Sequence, residues 1–354
     1  MWINKTWLDN LGLEVPATLE ELEHVLKEFA AKDANKNGDT TDEIPWLVSA
    51  NHNNMHFEAL YGLWGYGVKQ GTNDMYLQVI DGQVVFSPVQ PEWKEYLAWV
   101  KELYDAGVVS EEAITGAYPI TDSYNAADCT FGFCTNTNPP PKSNDEWIVL
   151  PPVSNGDYET RWFYNCAAWG TKGNFYVTDK CKNVDILCAW MDLFYDLDNA
   201  YAVENHPDYY SVDENGNYIP FVGNLDTGKV RPSMSSITGG YWPRAFMPSD
   251  YDRLPGGDLI REEAYEAYAA VINTELWPRP YWDSEVAEEI GTLAPPIDRA
   301  VKAWRADFIT GRMDLQEDWN DYLAELQELG LPTYLRYAQQ AIDFFYDAFK
   351  IVNN

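Results

Sequence analysis

The chain has 354 residues, 46% hydrophobic and 23% charged, a composition that excludes general disorder and leaves room for two domains. Asp and Glu number 56 against 24 Lys and Arg, a formal net charge of −32. A surface this negative repels phosphate backbones and anionic lipid heads, so nucleic acids and membrane surfaces are poor partners, while cations and neutral molecules are not.

Thr18 and Glu21 form a capping-box pattern that opens a helix over residues 18–31, with Leu19, Leu22, Leu26 and Phe29 as its apolar stripe. An Asn- and Asp-rich loop follows at 33–43. Residues 62–67 (GLWGYG) read as a tight aromatic loop, and 76–86 as a hairpin turning at Asp81-Gly82. Pro91 opens the next helix, with Trp93, Tyr96, Leu97, Val100 and Leu103 on one face and Gly107 past its end. Residues 135–144, with Pro139-Pro140-Pro141, make the best linker.

A short strand is expected at 147–150, an aromatic strand-like segment at 161–170 and a helix at 183–197. Residues 208–257, rich in Gly, Pro and Tyr, read as irregular. Helices are predicted near 258–273, 297–309, 315–329 (capped by Asp314 and Glu317) and 333–349. No internal repeat is present. Strands mixed with helices, a mid-chain linker and a helical end indicate an α/β fold with two lobes.

The sharpest local signal is the loop Asp33 to Glu43. Side-chain oxygens at Asp33, Asn35 and Asn37, then Gly38, match the start of an EF-hand calcium loop. Alternate residues of a curling loop point inward, and hard oxygens suit a hard cation. Asp39 would offer its backbone carbonyl, and Asp42 and Glu43 are the acidic closers. These closers fall at positions 10 and 11 rather than 12, and Ile44-Pro45 stops any second helix, so the loop is EF-like with an entering helix only. The plain alternative is a solvated Asn/Asp turn.

Cys129, Cys134, Cys166, Cys181 and Cys188 are too scattered for a disulfide scaffold and read as buried small residues. With four His in all, a structural zinc site is not expected. No apolar run approaches the ~18 residues of a membrane-spanning helix. The opening residues lack a basic-then-apolar leader, which taken alone points to the cytoplasm. No Gly-x-Ser-x-Gly, Walker loop, His-Glu-x-x-His or Cys-His pairing marks an enzyme.

Several stretches together resemble the extracellular solute-binding proteins of bacterial ABC transporters, the branch that binds sugars and oligosaccharides. They are Ile3-Asn4-Lys5-Thr6-Trp7-Leu8-Asp9-Asn10-Leu11-Gly12-Leu13, then Pro16-Ala17-Thr18-Leu19-Glu20-Glu21-Leu22, and the loop ending Asp42-Glu43-Ile44-Pro45. Cys181-Lys182-Asn183, Phe308-Ile309-Thr310-Gly311 with Asp314, and Trp319 through Gly330-Leu331 are similar to later segments of that family. The resemblance implies a periplasmic-binding-protein-like two-lobed clamp of type II that closes on a sugar without chemistry and delivers it to an ABC permease. It also implies a monomer, structural Ca2+, and an extracellular location on a lipid anchor.

Carried over, residues 1–142 form the first part of lobe two with the loop 33–43, 143–200 return to lobe one, and 201–354 are mainly helical lobe two. Members normally carry a signal peptide and a first lobe-one segment. Met1 stands where lobe two begins, so an incomplete first lobe is expected, with apolar surface such as Trp147, Ile148 and Trp162 exposed.

Sugar sites place aromatic rings against pyranose faces, with charged and amide groups on the hydroxyls. Aromatics in Gly- or Pro-rich loops are therefore the ligand candidates: Trp64 and Tyr66, Trp162 with Tyr164 beside Arg161, Trp242 with Arg244, and Tyr281 with Trp282. Trp93, Trp99, Trp190, Trp304 and Trp319 sit in helical patterns and read as packing. A calcium-stabilised glycoside hydrolase or lyase shares the aromatics, acidity and loop, and turnover of oligosaccharide separates it from a receptor. A dockerin-like module would need a second such loop.

Overall fold

The structure is a computed structural model. It describes residues 1–52, 55–67, 76–116, 130–136, 140, 146–162, 177–205, 210–220, 263–272, 277, 282 and 284–353. Two compact units emerge, one of Met1–Asn165 with Ala264–Asn354, the other Cys166–Glu263. These divisions fall at other places than the lobe boundaries carried over from the family.

In the first unit, strand β1 (Trp2–Asn4) leads into helix α1 (Lys5–Leu11), whose first turn is capped by the Asn4 side chain accepting the Trp7 amide at 3.1 Å. Helix α2 (Leu19–Ala31) carries the expected capping box between Thr18 and Glu21. Strands β2 (Ile44–Leu47), β5 (Phe131–Cys134) and β6 (Trp147–Val149) join β1 in a sheet of order β2-β5-β1-β6. β1 runs antiparallel to both neighbours, and β2 is parallel to β5.

Alternation along β5 sorts the two faces. Gly132 faces the helices: a Cβ there would lie 2.4 Å from the Phe29 ring and 2.8 Å from Trp7, which meet edge to face above it. On the opposite face Phe133 packs against Trp46, and Trp46 against Phe57 and Trp99. Burying aromatics of this size against both faces adds to the driving force for folding the unit.

The hairpin β3 (Leu77–Ile80) and β4 (Gln83–Phe86) turns at Asp81 and Gly82, both at positive φ as a two-residue hairpin loop requires. Helix α3 (Pro91–Asp105) buries Trp93, Tyr96, Leu97, Val100 and Leu103 as expected, and a short α4 follows (Glu111–Thr115). At the C-terminal end are α7 (Ser284–Thr310), α8 (Trp319–Glu328) and α9 (Leu331–Asn353). α7 starts well before the predicted 297 and continues through Pro295 and Pro296. Burial of Ala294, Ile297, Ala300 and Val301 outweighs the two lost amide donors. Asp314 accepts the Gln316 and Glu317 amides, so it caps a turn ahead of α8 rather than the helix itself.

The second unit holds α5 (Val184–Asp192), α6 (Leu197–Asn205) and a hairpin of β7 (Tyr210–Val212) with β8 (Tyr218–Pro220), where the sequence suggested irregular chain. The Asp213 carboxylate forms the turn by accepting the Asn215 and Asn217 amides. Leu197, Tyr201 and Tyr218 form its small core, with the Tyr201 and Tyr218 rings stacked 4.0 Å apart. No residue of α5 is buried. Trp147 is buried against Phe131, contrary to the expected exposure, and Ile148 and Trp162 are half-buried. The large exposed apolar side chains of this chain include Ile186, Trp190, Leu193 and Tyr195 instead. Among the described cysteines only Cys134 is buried, whereas Cys181 is half-buried and Cys188 exposed, so burial does not hold for all.

Candidate functional site

GLWGYG is not a free loop. Residues Phe57–Trp64 form a 3₁₀ helix closed by Gly65 in the left-handed region, and Trp64 is 4% exposed. Its ring packs against Tyr96 and Trp99 of α3, so Trp64 is a core residue rather than an open stacking face. Gly62 serves close approach: the Arg161 amide donates to its carbonyl at 2.9 Å, and a Cβ on Gly62 would lie 2.5 Å from the Arg161 carbonyl oxygen.

That pairing gathers three candidates. Tyr66, Arg161 and Trp162 are all half-buried at this edge. Tyr66 stacks on Tyr61 at 5.3 Å, near the Glu92 carboxylate. Burial and then the Glu92 charge push the Tyr66 phenol up, while Arg161 opposes them. Trp162 donates its amide to the Val271 carbonyl at 2.6 Å, and its ring meets Tyr268 at 4.9 Å. Arg161 keeps its guanidinium partly in solvent, 3.5 Å from Glu159. Tyr158 donates to Glu95, tying the segment to α3, and that bond pushes the Tyr158 phenol up to about 12.

Trp282 is half-buried beside Trp277, 6.2 Å away. Trp242, Arg244, Tyr164 and Tyr281 lie outside the described residues, as do Cys129 and Cys166. Glu92 was missed in the sequence because an acidic residue at a helix start reads as dipole compensation. One of its oxygens, Oε2, is buried without a partner.

The loop 33–43 curls on its own side chains. Asp33 accepts the Asn37 and Gly38 amides at 3.0 and 2.9 Å, and Asn37 accepts the Asp39 amide at 2.7 Å. Asn37 Nδ2 donates to Asp42 at 2.7 Å, and Asn35 Nδ2 lies 3.4 Å from the same carboxylate. Glu43 accepts the Ala34 amide through Oε1, while its Oε2 is buried without a partner. Burial, then the Asp42 charge, push the Glu43 carboxyl up, and the Thr41 hydroxyl and amide hold Asp39 low. The carboxylate and amide oxygens with an orphaned Glu43 oxygen fit a hard divalent cation. Among the described residues no group of three or more His, Cys, Asp or Glu is already assembled around a metal position.

No family model matches the chain. The fructooligosaccharide ABC transporter substrate-binding protein FusA of Streptococcus pneumoniae serotype 4 is 27% identical over 373 aligned residues, covering 100% of this chain. The chain spans 66% of that relative's length. Lipoprotein LipO of Bacillus subtilis strain 168 is 29% identical over 114 residues, 32% of this chain and 21% of LipO.

In structure, FusA in complex with kestose aligns with a TM-score of 0.72 at 24% identity, covering 98% of this chain and 72% of that one. An EF-hand mutant of FusA with fructo-nystose gives 0.71 at 23% identity, covering 98% of this chain and 72% of that one. An HMO-binding, ABC-transporter-associated solute-binding protein of Bifidobacterium longum infantis ATCC 15697 gives 0.69 at 20% identity, covering 97% of this chain and 73% of that one. These likenesses bear out the expected fold class, an α/β fold of the solute-binding-protein kind. Over its full length the chain is thus similar to the sugar-binding proteins of ABC transporters, and the fold it has is theirs.

Proposed function

We propose that this chain is the sugar-capturing part of an ABC import system: it binds an oligosaccharide without chemistry and hands it to the permease. The observation that carries this reading is the half-buried group Tyr66, Arg161 and Trp162, held together by the Gly62–Arg161 pairing. It offers aromatic surface and a charged donor at one edge, the combination that recognises a neutral, ring-shaped polyol. Trp242, Arg244, Tyr281 and Trp282 remain further ligand candidates on the sequence pattern. Fructo-oligosaccharides are the first ligands to try, because a relative similar over the whole chain is named for them.

Asp33, Asn35, Asn37, Asp39, Asp42 and Glu43 are assigned to structural Ca2+, supported by their oxygen-rich chemistry and by the EF-hand named in a relative's structure. Relatives are named as binding proteins, and one as a lipoprotein, which supports a non-catalytic, lipid-anchored, extracellular protein. In this reading it acts as a monomer, as docking onto a permease one copy at a time requires. Among the described residues no helix is long and apolar enough to cross a membrane. The lobe assignment, with 1–142 and 201–354 in one lobe and 143–200 in the other, belongs to this reading.

Titration calorimetry with kestose in Ca2+ tests it, with product analysis of the same mixture. Saturable heat with kestose left intact is expected. Shortened oligosaccharide would replace the receptor with a polysaccharide-degrading enzyme, and absence of binding across a panel of oligosaccharides would overturn the reading.

A further inference from the structure

Arg305 of α7 and Glu58 of the 3₁₀ helix form an ion pair with side-chain exposures of 2% and 1%. Three donors converge on the carboxylate. Arg305 Nη1 and the Tyr76 hydroxyl, at 3.0 Å, meet Oε1, and His56 Nδ1 lies 3.1 Å from Oε2. The guanidinium stands over the Phe57 ring, 5.6 Å from its centre. Such a pair is a poor source of net stability, because removing two charges from water costs about as much as their attraction returns. What it can supply is one definite seating.

The seated element needs it. A 3₁₀ helix has poorer internal hydrogen bonds than an α-helix and is rarely this long. Glu58 is near its start. Gly62, which takes the Arg161 amide, is near its end, and Tyr66 follows directly.

We propose that Arg305 and Glu58, with His56 and Tyr76 orienting the carboxylate, are positioning residues for the ligand site. They fix the 3₁₀ helix and, through the Gly62–Arg161 pairing, the placement of Tyr66, Arg161 and Trp162. What the site binds rests on the reading above, whereas the placement rests on the geometry alone.

The test is hydrogen exchange by mass spectrometry on the whole chain, comparing wild type with Glu58→Gln, Arg305→Lys and the double variant Glu58→Gln/Arg305→Met. The double variant replaces a charge pair with a neutral one and keeps the test open should a single variant not fold. Arg305→Lys keeps the charge but loses the fork. Amides in 57–67 and 158–162 are expected to exchange about tenfold faster in each variant, with the sheet of β1, β2, β5 and β6 unchanged. Exchange rising uniformly across the unit, in step with the melting midpoint, would overturn the proposal.

Kestose titration of the same preparations adds a second readout. Binding weakened about fivefold or more in the folded variants supports positioning, and unchanged affinity overturns it. If wild type binds no oligosaccharide, the proposed function fails, and the exchange result still decides this one.

Discussion

The Gly62 carbonyl accepts the Arg161 amide at 2.9 Å, in a contact so close that a side chain on Gly62 would meet the Arg161 carbonyl oxygen at 2.5 Å. Gly62→Ala must push the two segments apart. The expected cost is about 1–3 kcal/mol, as for overpacking a tight site, together with weaker oligosaccharide binding. Urea unfolding and calorimetry on the same variant check both. An alanine chain with unchanged midpoint and affinity would show that the contact is not constraining.

Trp64 and Tyr66, two residues apart, are expected to behave differently. Trp64→Ala removes a buried ring from the aromatic cluster with Tyr96 and Trp99, and should lose about 3–5 kcal/mol of stability. Tyr66→Phe keeps the ring and removes only the hydroxyl near Glu92, so its effect should fall on ligand affinity. Melting curves with and without kestose separate the two.

Calcium at about 100 times its dissociation constant should add roughly 2.7 kcal/mol to unfolding, and chelator should remove it. Asp42→Ala is expected to abolish the response. Asp213→Ala, in the other Asp/Asn turn, should leave it intact, because that carboxylate is engaged by the Asn215 and Asn217 amides of a hairpin. Differential scanning with Ca2+ and then EDTA reads all three proteins.

Ile186 and Trp190 are 70% and 51% exposed on α5. Ile186→Lys should therefore change stability by no more than about 0.5 kcal/mol. It should also lower any self-association driven by this apolar strip, measured by light scattering at rising concentration. A large loss of stability would show that the face is packed in solution.

Local rules made much of this fold legible. Thr18 with Glu21, Asp81 with Gly82, and the 3.6-residue spacing from Trp93 to Leu103 each act over a few residues, and each forms what its pattern says. The misreadings have a common cause in distant partners. Pro295 and Pro296 signal a helix stop, but burial of their neighbours along α7 overrides it. The glycines of GLWGYG signal a loop, but Gly62 admits Arg161 and Gly65 closes the 3₁₀ helix at positive φ. The Glu58–Arg305 pair joins residues 247 apart, and no spacing rule links them. At the candidate site, residue type singled out Tyr66 and Trp162, while Glu92 emerged only from the structure.

The position of β1 between β5 and β6 has a consequence for how the chain is made. Residues 2–4 occupy an inner place in the sheet, yet their partners are residues 131–134 and 147–149. During synthesis β1 must wait, unpaired, until both partners have been translated, and closing so long a loop slows the folding of this sheet. Replacing residues 2–4 would disturb an interior strand of the sheet rather than an edge.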